Sequence, residues 1–101
     1  MNRNGTNELA ITLAAINDSK IITEFFESLF TLKEIEDISS RWELVKLLDQ
    51  GVTQREIAGR LGLSLCKITR GSKELKKQGS VFKRFIDEYY KQAQLEEKNE
   101  D

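Results

Sequence analysis

The side chains with most to offer in this 101-residue chain are arginines and lysines. From Arg55 to Arg84 there are nine of them, Arg55, Arg60, Lys67, Arg70, Lys73, Lys76, Lys77, Lys83 and Arg84, against the acids Glu56 and Glu74. That segment carries a net +7 and leaves −8 on the remainder of a chain whose total is −1. A basic stretch set in an acidic body suits a polyanion. The competing explanation is a solvated lysine-rich face.

Catalytic chemistry has little to work with. There is no His, so Ser-His-Asp and Cys-His nucleophiles are excluded. A single Cys, Cys66, makes neither an internal disulfide nor a Cys/His zinc site. The paired carboxylates Glu96-Glu97 sit in a charged tail, away from any evident pocket. No enzyme, metal or cofactor is expected. The N-terminus lacks the apolar stretch of a secretion signal, and no apolar run approaches membrane-spanning length. A reducing cytoplasm is the expected compartment.

Helical period and caps predict the elements that hold the basic residues. Leu9, Leu13 and Ile16 recur at helical spacing after Thr6-Asn7. Asp18 can cap a second helix carrying Ile22, Phe25, Phe26 and Leu29. Thr31 and Glu34 form a capping box that opens a long helix with the stripe Leu32, Ile35, Ile38, Trp42, Val45 and Leu48, closed at Gly51. If Arg41 on that helix is a plain surface arginine, Asp37 one turn back is its ion-pair partner. Thr53 and Glu56 form a second box, for a short helix to about Arg60. Ser64 caps the next helix, to about Lys77. Gly79-Ser80 starts a last one with Val81, Phe82, Phe85, Ile86, Tyr89 and Ala93. The tail, Leu95 to Asp101, is expected to fray. The fold class is all-α, six helices in one domain. Residues 6–50 and 80–97 form a helical core, and residues 53–77 form a reading head. The first two helices are too apolar for a lone subunit of this size, so a homodimer is expected.

Residues 53–71 carry the strongest pattern. Ala58 lies four residues before Gly62, so two short helices can cross closely before a tight turn that needs positive φ. Ile57, Leu61 and Ile68 fill the wedge between them, leaving Leu65, Cys66, Lys67, Thr69 and Lys73 to face outward. In a helix-turn-helix the second helix enters the major groove of DNA. Arg55 can reach a guanine or a phosphate, and Lys67, Lys76 and Lys77 suit phosphate oxygens. An ordinary helical hairpin is the alternative.

Gln54-Arg55-Glu56-Ile57, Gly62, Ile68-Thr69-Arg70-Gly71-Ser72 and Leu75-Lys76 resemble the tryptophan repressor family. Leu29-Phe30-Thr31 and Ser40-Arg41 extend the likeness, which covers roughly residues 29 to 90. The resemblance implies an intertwined homodimer of six-helix subunits that binds operator DNA with L-tryptophan as corepressor. Arg41 and Arg70 would sandwich the indole, since guanidinium planes stack on aromatic faces. Arg70 would also pair with the ligand carboxylate. Carbonyls of Ser28 and Phe30 from the partner subunit would take the ammonium, beside Thr31. Leu44, Val45 and Gly71 would line the slot. Gln54, Arg55, Leu65, Cys66, Thr69 and Lys76 match the family's DNA-contact positions, and the start and outward basic side of the second helix add Ser64, Lys67, Lys73 and Lys77 as expected DNA contacts.

Three departures from the family pattern bear on this. The stretch between Arg41 and Arg55 is one residue shorter. Glu74 stands where the family has Ser near the ligand ammonium, and it either strengthens an amine contact or pairs with Arg70 and occludes the slot. Ala58 replaces a DNA-reaching Lys. The expected function is therefore a repressor gated by L-tryptophan, acting on tryptophan biosynthesis or transport genes. The alternatives are a regulator of the same fold with another corepressor or none, and a helical adaptor that binds protein.

Overall fold

The computed structural model describes residues 4–99. It comprises α1 (Asn4–Ala15), α2 (Ser19–Leu29), α3 (Leu32–Asp49), α4 (Gln54–Leu61), α5 (Leu65–Lys76) and α6 (Val81–Asn99). No strand occurs among the described residues, and the all-α, six-helix class expected from the sequence is what the chain adopts.

Side-chain oxygens mark most of the starts. Asp18 accepts from the backbone N–H of Lys20 at 3.0 Å and of Ile21 at 3.4 Å. Thr31 and Glu34 complete their box in both directions, at 3.1 and 2.9 Å. Ser64 and Ser80 accept from the N–H groups of Lys67 and Lys83 at 3.3 and 3.2 Å. Each such cap is worth about 1 kcal/mol, because it satisfies a donor that has no partner within the helix.

Three local expectations need correcting, and one alternative falls away. The Thr53 box is half made: Thr53 accepts from Glu56 N–H, but the Glu56 carboxylate turns forward to Arg60, 2.8 Å away, where the opposite charge is. Ile16 lies one residue beyond α1; α5 ends where expected, at Lys76 with Lys77 as its extended cap. The tail does not fray at Leu95. Helix α6 continues to Asn99, since Gln, Leu, Glu and Lys all favour helix and no Gly or Pro interrupts them. Glu100 and Asp101 lie outside the described residues. Asp37 pairs with Lys33, 3.2 Å away, and not with Arg41.

The chain divides into two compact units between Asp37 and Ile38, with α3 running through the boundary. In the first unit, neither α1 nor α2 contains a buried residue. Leu9, Leu13, Ile22 and Phe26 are half-buried, while Ile11 at 65%, Ile21 at 51%, Leu29 at 52% and Leu32 at 74% stay largely exposed.

The second unit has an interior. Leu44 and Leu47 of α3, Ile57 of α4 and Ile68 of α5 form one cluster, ringed by Leu48, Val52, Ala58, Leu61 and Leu63. The stripe expected on α3 is kept at Val45 and Leu48 and widened by Leu44 and Leu47. The buried positions are Leu44, Val45 and Leu47, because this face of α3 must also receive the two short helices. Trp42 is half-buried and meets Tyr89 of α6 edge-on, with ring centroids 6.0 Å apart and planes at 87°. Lys46 lies over the same Tyr89 ring, 5.2 Å from its centroid, and Gln50 donates to the Tyr90 hydroxyl at 3.2 Å. These interactions dock α6 along α3.

Candidate functional site

The reading head is built around two buried isoleucines. Ile57 and Ile68 have no solvent exposure and close the wedge between α4 and α5. Gly62 turns the chain between them at φ 64°, a left-handed conformation that a side chain would strain. A hydrogen bond adds to the joint: the Thr69 hydroxyl donates to Gln54 Oε1 at 3.2 Å. Two short helices thus cross as a helix-turn-helix.

The outer side of α5 is open. Leu65 is 60% exposed, and Cys66, Arg70, Lys73 and Lys77 line the same open side; Lys67 and Lys76 are also exposed. Thr69, expected to face outward, is half-buried by its bond to Gln54, itself half-buried. A shallow groove runs along Leu65, Cys66, Thr69, Arg70, Lys73, Glu74 and Lys77. Not every cation of the basic segment is available there. Arg60 is paired with Glu56 and Lys77 with Glu74, both at 2.8 Å. Lys83 bridges Asp49 at 3.0 Å and Asp87 at 3.3 Å. Its hydrogen bonds to those carboxylates raise its pKa above the usual lysine value. Arg55, Lys67, Arg70, Lys73 and Lys76 have no ion pair among the described residues. With Arg84 of α6, which has none there either, six of the nine cations are free to meet phosphate.

The inner side of α5 borders a cleft of about 470 Å³, within the size range of small-molecule sites. Arg41, Leu44 and Val45 of α3, Lys67, Arg70, Gly71 and Glu74 of α5, and Phe82 of α6 line it. The absence of a side chain at Gly71 keeps α5 close to α3 here. A Cβ at that position would meet Leu44 Cδ2 at 3.3 Å and Leu48 Cδ1 at 3.4 Å. Ser80 joins two of the helices that contribute to the cleft: its hydroxyl donates to the Glu74 carbonyl at 2.8 Å while its oxygen caps α6. That one side chain ties the end of α5 to the start of α6.

Six of the nine residues expected at the ligand, Arg41, Leu44, Val45, Arg70, Gly71 and Glu74, surround this cleft. Ser28, Phe30 and Thr31 belong to the other unit. There the Ser28 hydroxyl donates to the Glu24 carbonyl, Phe30 meets the Phe26 ring and Thr31 caps α3. Glu74 is turned to Lys77 and leaves Arg70 unpaired, so the occluding Arg70–Glu74 pair is not made. Sequence reasoning does not reach Phe82 at the cleft, and it places Lys67 only on the DNA side. Phe82 stands second in α6 on a long aromatic stripe, and only the packing of that helix shows which rings face the cleft.

A helix-turn-helix with an exposed basic second helix is the arrangement of a class of DNA-binding proteins. Comparison with known proteins narrows this. Residues 5–90 match the family described as Trp repressor protein. A Trp operon repressor homolog of Chlamydia caviae is 37% identical over 86 residues, covering 84% of this chain and 85% of the relative. One of Chlamydia trachomatis serovar D is 38% identical over 68 residues, 66% of this chain and 72% of the relative. One of Xylella fastidiosa strain M23 is 36% identical over 80 residues, 74% of this chain and 84% of the relative. No solved structure gives a significant match. The chain belongs to the Trp repressor family. Membership supports a DNA-binding repressor, a regulator and not an enzyme. No helix among the described residues is long and apolar enough to cross a membrane.

Proposed function

We propose that the protein is a cytoplasmic homodimer that represses transcription of tryptophan biosynthesis or transport genes when L-tryptophan occupies the cleft beneath α5. One observation carries this reading. Arg41 and Arg70 line the same cleft on opposing helices, and neither is committed to an ion pair among the described residues. Two guanidinium groups from different helices, lining one cleft with the apolar Leu44 and Val45, suit a planar ring bearing a carboxylate. The ligand lies against the helix that reads DNA, so filling the cleft sets the angle of that helix. The two reading helices of a dimer must meet major grooves one turn apart, about 34 Å, a spacing for which the Trp repressor is itself a standard example. A second copy would also cover the apolar side chains that α1 and α2 leave exposed.

The test is a DNA-binding titration with and without L-tryptophan, beside sedimentation of the protein alone. A dimer whose DNA affinity rises with L-tryptophan is expected. A second reading, a regulator of this fold with another corepressor or none, is favoured by the charge that Glu74 brings to the cleft wall. DNA binding indifferent to L-tryptophan would select it.

A further inference from the structure

Lys67 occupies a position that its place in the basic segment does not reveal. It sits in the first turn of α5 after the Ser64 cap, yet its side chain lines the inner cleft together with Arg41 and Arg70. It makes no ion pair among the described residues, and no acid lies in the first turn of α5 to compensate it. A cation at that end of a helix opposes the helix dipole, so Lys67 adds nothing to the stability of α5. On the helix surface Lys67 and Arg70 are three residues apart and their Cβ atoms lie about 5–6 Å from each other. Glu74, the carboxylate of the cleft wall, is already held by Lys77. The cleft therefore presents three uncommitted cations and no uncommitted acid.

We propose that Lys67 is a ligand-binding residue, the second cation beside Arg70 for the carboxylate of the bound molecule, and that it sets the cleft's preference for an acid over its neutral analogue. The inference rests on the ligand-gated reading above. A guanidinium fork takes two lone pairs of a carboxylate and leaves the others to a neighbouring donor, which an ammonium on a flexible stem can supply.

Calorimetric competition with L-tryptophan and L-tryptophanamide tests this on the full chain, without DNA. The wild type should prefer the acid, and Lys67→Met should lower that preference about tenfold or more, the scale of one hydrogen bond to a charged group. Lys67→Arg should retain most of it. Lys67 is exposed, so both variants should keep the helical circular dichroism of the wild type. An unchanged preference in Lys67→Met, with a shallower salt dependence of DNA binding, would assign Lys67 to a phosphate and overturn the inference alone. A folded wild type that binds neither compound would overturn the ligand-gated reading and this inference with it.

Discussion

Lys77 holds Glu74 at 2.8 Å, and Arg70, one turn back on α5, is left without an ion-pair partner among the described residues. The carboxylate that could have closed the cleft is drawn to its rim. Arg70 is thereby the cation best placed for a ligand acid, and Arg70→Ala should weaken L-tryptophan binding about 10- to 100-fold, the range for removing a charge-assisted bond. Isothermal calorimetry on the folded variant reads this directly. An affinity equal to wild type would remove Arg70 from the site.

The close approach at Gly71 sets a second expectation. An added Cβ there meets two leucine methyls at 3.3 and 3.4 Å, so a larger side chain must push α5 away from α3. Gly71→Val should cost about 1–3 kcal/mol in denaturant unfolding at fixed protein concentration, through overpacking. It should also weaken ligand binding by filling the cleft floor. A variant as stable as wild type would show that α5 shifts freely.

Salt dependence separates the cations that structure leaves free from those it uses internally. Lys76 is free, so Lys76→Ala should make log affinity for duplex DNA fall less steeply with log salt, by about 0.9 in slope for each phosphate it neutralises. Lys83 belongs to the same basic segment but is bound to Asp49 and Asp87. Lys83→Ala should leave the slope unchanged. Equal slopes for Lys76→Ala and wild type would place DNA elsewhere.

Lys83 also carries an alkaline signature. Its folded pKa is raised above 10.5 by hydrogen bonds to Asp49 and Asp87. A raised lysine pKa means that its stabilisation is complete below the unfolded value and disappears as pH climbs through the folded one. The difference in thermal stability between wild type and Lys83→Met should be constant from pH 8 to about 10 and shrink above that. A difference that grows with alkalinity would contradict the bridge.

The local chemistry of the elements was legible because it depends on near neighbours. Asp18, Thr31, Ser64, Ser80 and Gly62 each announce a helix end by residue type, and each is found at one. The wedge at Ile57 and Ile68 followed from the spacing of Ala58 and Gly62. The face of α3 followed only in part: Val45 and Leu48 lie on the expected stripe, and docking of α4 and α5 adds Leu44 and Leu47. Glu56 and Glu74 show the same thing for charge. Each had two partners within reach along the helix, and the nearby cation won over the backbone or the more distant role. The cleft residues Arg41 and Arg70 came from likeness to a family, because they lie far apart in the chain, on separate helices, and no periodicity links them. Phe82 and the inner position of Lys67 required the packing of three helices at once.

Trp42 is the single indole of the chain, fixed edge-on against Tyr89 at the seam of α3 and α6. That gives the protein an intrinsic optical reporter. Its emission and near-ultraviolet ellipticity follow the seating of the last helix, and a non-fluorescent ligand could be titrated against it without any added label.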